Sequence, residues 1–282
     1  MNEVEKIKKY VSLIRKKTDF VPQVAIVLGS GLNSFAENID IVTTVDYKDL
    51  EGFPTCSAEG HVGRFVFGYI GEVKVVVMQG RVHYYEGYSM QDVVLPLRVM
   101  HALGATNIIF TNAAGSMRVD FKPASFMAFT DQLAFFVPSP LLGENYPELG
   151  NRFPDTTGMF DKDLRELVLE IAKDNSIDVH SGIYVQASGP QYESPAEMRA
   201  FKLLGADAVG MSTACECIAA LQLKMKIVSI SCITNYESGL NLTTEELSHE
   251  QVQAIANKCA KDMEVLLKEL VKRAHERSLF NS

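Results

Sequence analysis

Short apolar runs that stop abruptly at glycine or at a knot of polar side chains recur along this chain, and they restrict its fold more than any other feature. Val24-Ala-Ile-Val-Leu28 runs into Gly29-Ser30-Gly31, and Met78 into Gln79-Gly80-Arg81-Val82-His83-Tyr84-Tyr85. Asn107-Ile-Ile-Phe-Thr111 opens on Asn112-Ala113-Ala114-Gly115-Ser116, Val209 on Gly210-Met211-Ser212-Thr213, and Cys232 on Ile233-Thr234-Asn235. An apolar run without polar alternation suits a strand covered on both faces, and glycine lets the chain leave it sharply.

Between these runs the spacing is helical. Val4, Ile7, Val11 and Ile14 share one face of residues 3–17, and further helices are predicted at 89–103, 161–175, 196–204, 214–223 and 245–273. Two of them stop at Gly104-Ala105 and Gly205-Ala206 just before a strand. Residues 64–70 and 73–78 flank Gly71-Glu72 as a hairpin, and more strands are predicted at 182–187 and 226–231. The most apolar stretch, Phe126 to Leu142, is broken by Asp131, Pro138 and Pro140 and reads as a buried strand with its loop. This alternation predicts an α/β fold with a mixed, largely parallel central sheet flanked by helices. No Pro/Gly/Ser-rich linker divides it, so a single domain over 1–282 is expected. Ligands of such sheets gather at the carboxyl ends of the strands.

A net charge of −8 argues against a broad surface for nucleic acid or anionic lipid, so an anion must meet a local positive site. Met-Asn-Glu-Val-Glu-Lys at the start has no signal-peptide pattern, and no apolar run is long enough to span a bilayer. The five cysteines form no C-x-x-C pair and are odd in number, which suits a reducing, cytoplasmic setting. The six histidines show no H-x-x-x-H or H-E-x-x-H spacing, and no metal site is expected.

If the strand ends converge, they furnish backbone donors, hydroxyls, a guanidinium and an imidazole. Arg81 can grip two oxygens of a phosphate dianion, Ser30 and Ser212 can donate hydroxyl hydrogens, N–H groups near Ala113 can add fixed dipoles, and His83 another donor. Taken singly, Arg81 reads as a surface charge, His83 as a core histidine, and Gly29 and Gly31 as turn formers. Gly29-Ser-Gly31 also invites a dinucleotide reading, with Asp49 at the ribose-binding distance, but Ser34 stands where that fingerprint has glycine. In Ala187-Ser-Gly-Pro-Gln-Tyr192-Glu193, the aromatic and the carboxylate can stack on a planar heterocycle and accept its N–H groups. Equally, Glu193 can serve only to cap the helix that follows.

Leu28-Gly-Ser-Gly-Leu32, Gly60-His-Val-Gly63, Gln79-Gly-Arg-Val-His-Tyr-Tyr-Glu-Gly87, Thr111-Asn-Ala-Ala-Gly115, Gly189-Pro-Gln-Tyr-Glu193, Val209-Gly-Met-Ser-Thr213 and Ile233-Thr-Asn235 stand in the order in which the trimeric purine nucleoside phosphorylases carry such segments. The chain resembles that family from about Phe20 to its final helix. The resemblance implies the nucleoside phosphorylase fold, a homotrimer, inorganic phosphate as co-substrate, and no metal or cofactor. It implies that Ser30, Arg81, His83, Ser212 and the backbone of Ala113 hold phosphate, with His61 beside its entrance. Tyr85, Met211 and His249 would surround ribose, with Phe153 reaching in from a neighbouring subunit. Glu193 and Asn235 would read the purine edge, packed by Tyr192 and Val209, and Asn235, His83 and Glu193 would carry the catalysis.

The implied reaction is reversible phosphorolysis of 6-oxopurine (deoxy)ribonucleosides, inosine and guanosine among them. An aspartate at position 235, as in the related methylthioadenosine phosphorylases, would instead accept from a 6-amino group. The chain departs from the family at Ala214-Cys215-Glu216, where Val-Pro-Glu is frequent, and in the individual segment 236–248. Rival readings are methylthioadenosine phosphorolysis, hydrolysis by water, a non-catalytic nucleoside-binding module and a nicotinamide dehydrogenase.

Overall fold

A computed structural model describes residues 1–56, 62–237 and 248–281. In chain order the elements are α1 (Glu3–Arg15), β1 (Val24–Val27), β2 (Asp40–Asp46), β3 (Arg64–Ile70), β4 (Val73–Gln79), α2 (Met90–Val93), α3 (Leu95–Ala102), β5 (Asn107–Ser116) and β6 (Phe126–Leu133). There follow α4 (Lys162–Asp174), β7 (Val179–Gln186), α5 (Pro195–Leu203), β8 (Ala208–Gly210), α6 (Ala214–Gln222), β9 (Lys226–Tyr236) and α7 (His249–Glu276).

The strands lie in the order β2-β3-β4-β1-β5-β8-β7-β6-β9, and β9 returns to pair with β5. Strands β5, β8, β7, β6 and β9 therefore close on themselves as a barrel, while β1, β4, β3 and β2 extend from β5 as an open sheet. Closure removes the unpaired edges that an open five-stranded sheet would leave. Five of the nine pairings are parallel, namely β1 with β4 and β5, β5 with β9, and β7 with β6 and β8. The pairs β2–β3, β3–β4, β5–β8 and β6–β9 are antiparallel. The sheet is mixed, as expected, and its closure is an addition, since it rests on pairing between distant segments that no local pattern announces.

Side chains alternate between two apolar layers. Ala25 and Val27 of β1 and Val76 and Met78 of β4 face the layer that contains Ile14, Leu97 and Ala219 from α1, α3 and α6. Val24, Ile26, Val75 and Val77 face the layer of Leu167 from α4 and Leu267 from α7. Burial on both sides explains why these strands read as unbroken apolar runs.

Three local expectations need correction. The helix foreseen at 89–103 is two, α2 and α3, because Pro96 at the first turn of α3 has no N–H to continue α2 and its ring obstructs the preceding turn. Strands β5 and β9 run on through residues read as loops: Ala113 and Asn235 are inside ladders that keep their backbone groups paired to Ser116 and Tyr236. Strand β2 was missed; it pairs only with β3 and is largely exposed, so it lacks the apolar pattern of the inner strands. The start foreseen for the last helix at 245 lies outside the described residues, and α7 begins at His249 behind the Ser248/Gln251 capping box. Among the described residues no helix is long and apolar enough to cross a membrane.

Candidate active site

The polar strand ends meet in one cleft of about 110 Å3. Ser30 follows β1; Arg81, His83 and Tyr85 follow β4; Ala113 is in β5; Tyr192 and Glu193 precede α5. Val209 belongs to β8, Met211 and Ser212 follow it, and Asn235 is near the end of β9. One predicted residue is not brought to this cleft, and two are not placed in it or out of it because they, or their side chains, lie outside the described residues. Phe153 is 89% exposed and does not line the cleft. His61 lies outside the described residues, as does the side chain of His249, although Val252, one turn further along α7, reaches the cleft.

At one end the site is built around a buried cation. Arg81, 1% exposed, sets Nε 3.1 Å from Glu216 on α6 and donates from Nη1 to Ser212 Oγ at 3.0 Å. Glu216 also accepts from the Thr213 N–H at 2.9 Å, so one carboxylate orients both the guanidinium and the turn that presents Ser212. Thr213 holds φ at +77°, an unfavourable backbone for a β-branched residue. It is over-determined by Glu216, by Asn112 Nδ2 donating to its hydroxyl at 2.9 Å, and by Tyr184 donating to Ser212 O at 3.0 Å. His83 is fixed by Glu86, whose Oε1 accepts from the His83 N–H at 2.7 Å and sits 2.9 Å from Nδ1, and its ring stacks on Tyr85. Gly29 is required by proximity, because a Cβ there would fall 2.5 Å from Asn112 Cα across the β1–β5 pairing.

The other end is carboxylate-rich. Glu193 is 9% exposed; burial, and then the neighbouring Glu237 carboxylate, push its pKa up to about 7. The helix after it is capped by Ser194 with Glu197, so capping does not account for Glu193. Asn235 donates from Nδ2 to Glu237 Oε1 at 3.0 Å and accepts at Oδ1 from Thr234 Oγ1 at 2.8 Å. Tyr192 remains 38% exposed at the rim, where its ring offers a flat surface.

Sequence reasoning missed Glu86, Glu216 and Glu237. Glu86 and Glu216 carried signals, each standing three residues after the residue it caps, His83 and Thr213. Glu237 carried none, since only the extension of β9 brings it beside Gly115. Among the described residues no group of three or more His, Cys, Asp or Glu is placed to hold a metal ion.

Residues 23–272 match the model of the Phosphorylase superfamily. Purine nucleoside phosphorylase 1 of Bacillus subtilis is 40% identical over 267 residues, which cover 95% of this chain and 98% of that protein. Purine nucleoside phosphorylase of Schistosoma mansoni in complex with adenosine superposes with a TM-score of 0.90 at 35% identity, covering 95% of this chain and 96% of the other. The same protein in complex with inosine gives 0.89 at 35% identity, with the same coverage.

Proposed function

This chain belongs to the Phosphorylase superfamily and, within it, to the purine nucleoside phosphorylases, and from that premise we propose that it cleaves 6-oxopurine (deoxy)ribonucleosides with inorganic phosphate. Inosine and guanosine give the free base and (deoxy)ribose 1-phosphate, reversibly. The observation that carries this reading is the shared cleft, which Arg81 and Ser212 line together with Glu193 and Asn235.

Glycosidic cleavage passes through an oxocarbenium-like sugar while negative charge moves onto the departing base. Phosphate held by Arg81, Ser212, Ser30, His83 and the backbone at Ala113 is both nucleophile and counter-charge beneath the anomeric carbon. Asn235 strengthens its hydrogen bond to purine N7 as that atom gains electrons, and ionised Glu193 accepts from N1–H. Tyr192 and Val209 pack the base, and Tyr85 and Met211 enclose the ribose with His249. Binding that tightens only as charge develops lowers the barrier without a covalent intermediate. Phosphate is a co-substrate, and no metal or cofactor enters this scheme.

The exposed Phe153 fits a homotrimer in which it reaches a neighbour's ribose pocket, and His61 fits the phosphate entrance. The partners are thus small molecules and further copies of the chain, with no nucleic acid or membrane. Five cysteines, none in a C-x-x-C pair, fit a cytoplasmic enzyme. The test is release of hypoxanthine from inosine with and without phosphate. Undiminished release without phosphate would make the chain a hydrolase, and no release at all would make it a binding module.

A further inference from the structure

Both atoms of the Asn235 amide are engaged at the purine end of the cleft. Nδ2 donates to Glu237 Oε1 at 3.0 Å, with Tyr236 O a more distant acceptor at 3.4 Å, and Oδ1 accepts from Thr234 Oγ1 at 2.8 Å. The threonine hydroxyl has one proton, and its alternative acceptor, Ala114 O, is further off at 3.3 Å, so the amide oxygen receives it. Glu237 is held in turn: its N–H donates to Ser116 O at 2.9 Å, and its carboxylate lies so close over Gly115 that a Cβ there would come within 1.7 Å of Oε1. An ionised carboxylate only accepts hydrogen bonds. Turning the Asn235 amide over would set its oxygen against Oε1, two acceptors at hydrogen-bonding distance with no proton between them.

We propose that Glu237 is a positioning residue that locks the Asn235 amide with its second N–H toward the purine, and so makes the pocket select 6-oxopurines over 6-aminopurines. The inference rests on the phosphorolysis reading above. A 6-oxopurine presents acceptors at N7 and O6, both matched by an amide N–H. A 6-aminopurine brings its own N–H2 to that place and needs the reversed amide.

Glu237 acts on Glu193 as well, since burial and then the Glu237 charge raise the Glu193 carboxyl, with a smaller contribution from Glu197 on α5. Tyr192 stands next to it, and among the described residues the other titratable groups lining the cleft are Arg81, His83 and Tyr85. Neutralising Glu237 therefore lowers the pH at which Glu193 ionises and becomes able to accept N1–H.

Glu237→Gln keeps the volume but supplies an amide that pairs with either orientation of Asn235. The expected result is a rise of about tenfold or more in the adenosine-to-inosine ratio of kcat/KM, with the acid limb of the inosine profile moved to lower pH. Glu237→Ala, which clears the space over Gly115, is the second variant and is expected to raise the ratio likewise; thermal melts identify which variants fold. A ratio that stays within about threefold of the unaltered chain in a folded variant overturns the inference, because a purely structural residue lowers both substrates together. Phosphate-dependent hypoxanthine release by the unaltered chain tests the parent reading separately. Its absence sinks both ideas, whereas its presence with an unmoved ratio sinks only this one.

Discussion

The two ends of the cleft satisfy their charges in opposite ways. At the end proposed to hold phosphate a buried cation is matched by a buried anion, Arg81 with Glu216, and His83 is set against Glu86. At the end proposed to hold the purine two carboxylates, Glu193 and Glu237, are neighbours, and burial and then the Glu237 charge push Glu193 up to about 7. The first arrangement is held in place by its own ion pair and hydrogen bonds. The second is electrostatically poised, so that proton concentration and nearby side chains adjust what it accepts.

Arg81→Ala is expected to break the first end most severely. It should lower kcat/KM for phosphate by about 10²- to 10³-fold and, by leaving Glu216 buried without its cation, destabilise the fold by about 3 kcal/mol or more. Steady-state kinetics and a thermal melt read both, and phosphorolysis within about tenfold of normal would remove Arg81 from the phosphate site. Asn235→Asp addresses the second end and should raise the preference for adenosine over inosine by roughly ten- to a hundredfold. If adenosine gains nothing relative to inosine, the account of base reading is wrong.

Acidity should also separate the ends. On the proposed reading Glu193 accepts N1–H in its ionised form, and with burial and the Glu237 charge pushing its pKa up to about 7, inosine kcat/KM should fall roughly tenfold from pH 8 to pH 6. The sign is that of a raised carboxyl, whose active form is present above its pKa and lost below it. A profile flat across that interval would mean that Glu193 does not bind the base in its ionised form. Phe153→Ala should have the smallest effect, about a threefold rise in nucleoside KM with kcat nearly kept, reporting the loss of one aromatic contact. Gel filtration of the same variant shows whether the oligomer survives.

The difference between the ends also governs what could be read from residues alone. Ser30, Arg81, His83 and Ser212 each follow an apolar run and have side chains suited to anions, although only their combination outweighs the reading of Arg81 as a surface charge and His83 as a core histidine. Glu193 announced a carboxylate beside an aromatic but left capping open, and only the Ser194/Glu197 box resolved that. Glu237 was illegible, since its position depends on β9 keeping register with β5 across a bulge between Ala114 and Gly115. The inner strands of the open sheet were legible for the same reason as the loops that follow them: β1, β4 and β5 are buried on both faces, whereas the exposed β2 is not. The barrel was not, because closure is a relation between Asn107–Ser116 and Lys226–Tyr236, far apart in sequence.

Strand β5 is the seam common to the open sheet and the barrel: along one edge it pairs first with β1 and further on with β8, and along the other with β9. Its neighbours can therefore be treated as two cassettes stitched along a single line. A library that leaves Asn107–Ser116 untouched and randomises positions 192, 193 and 235–237 should remodel the heterocycle preference while the anion cup, anchored across the seam, is inherited intact.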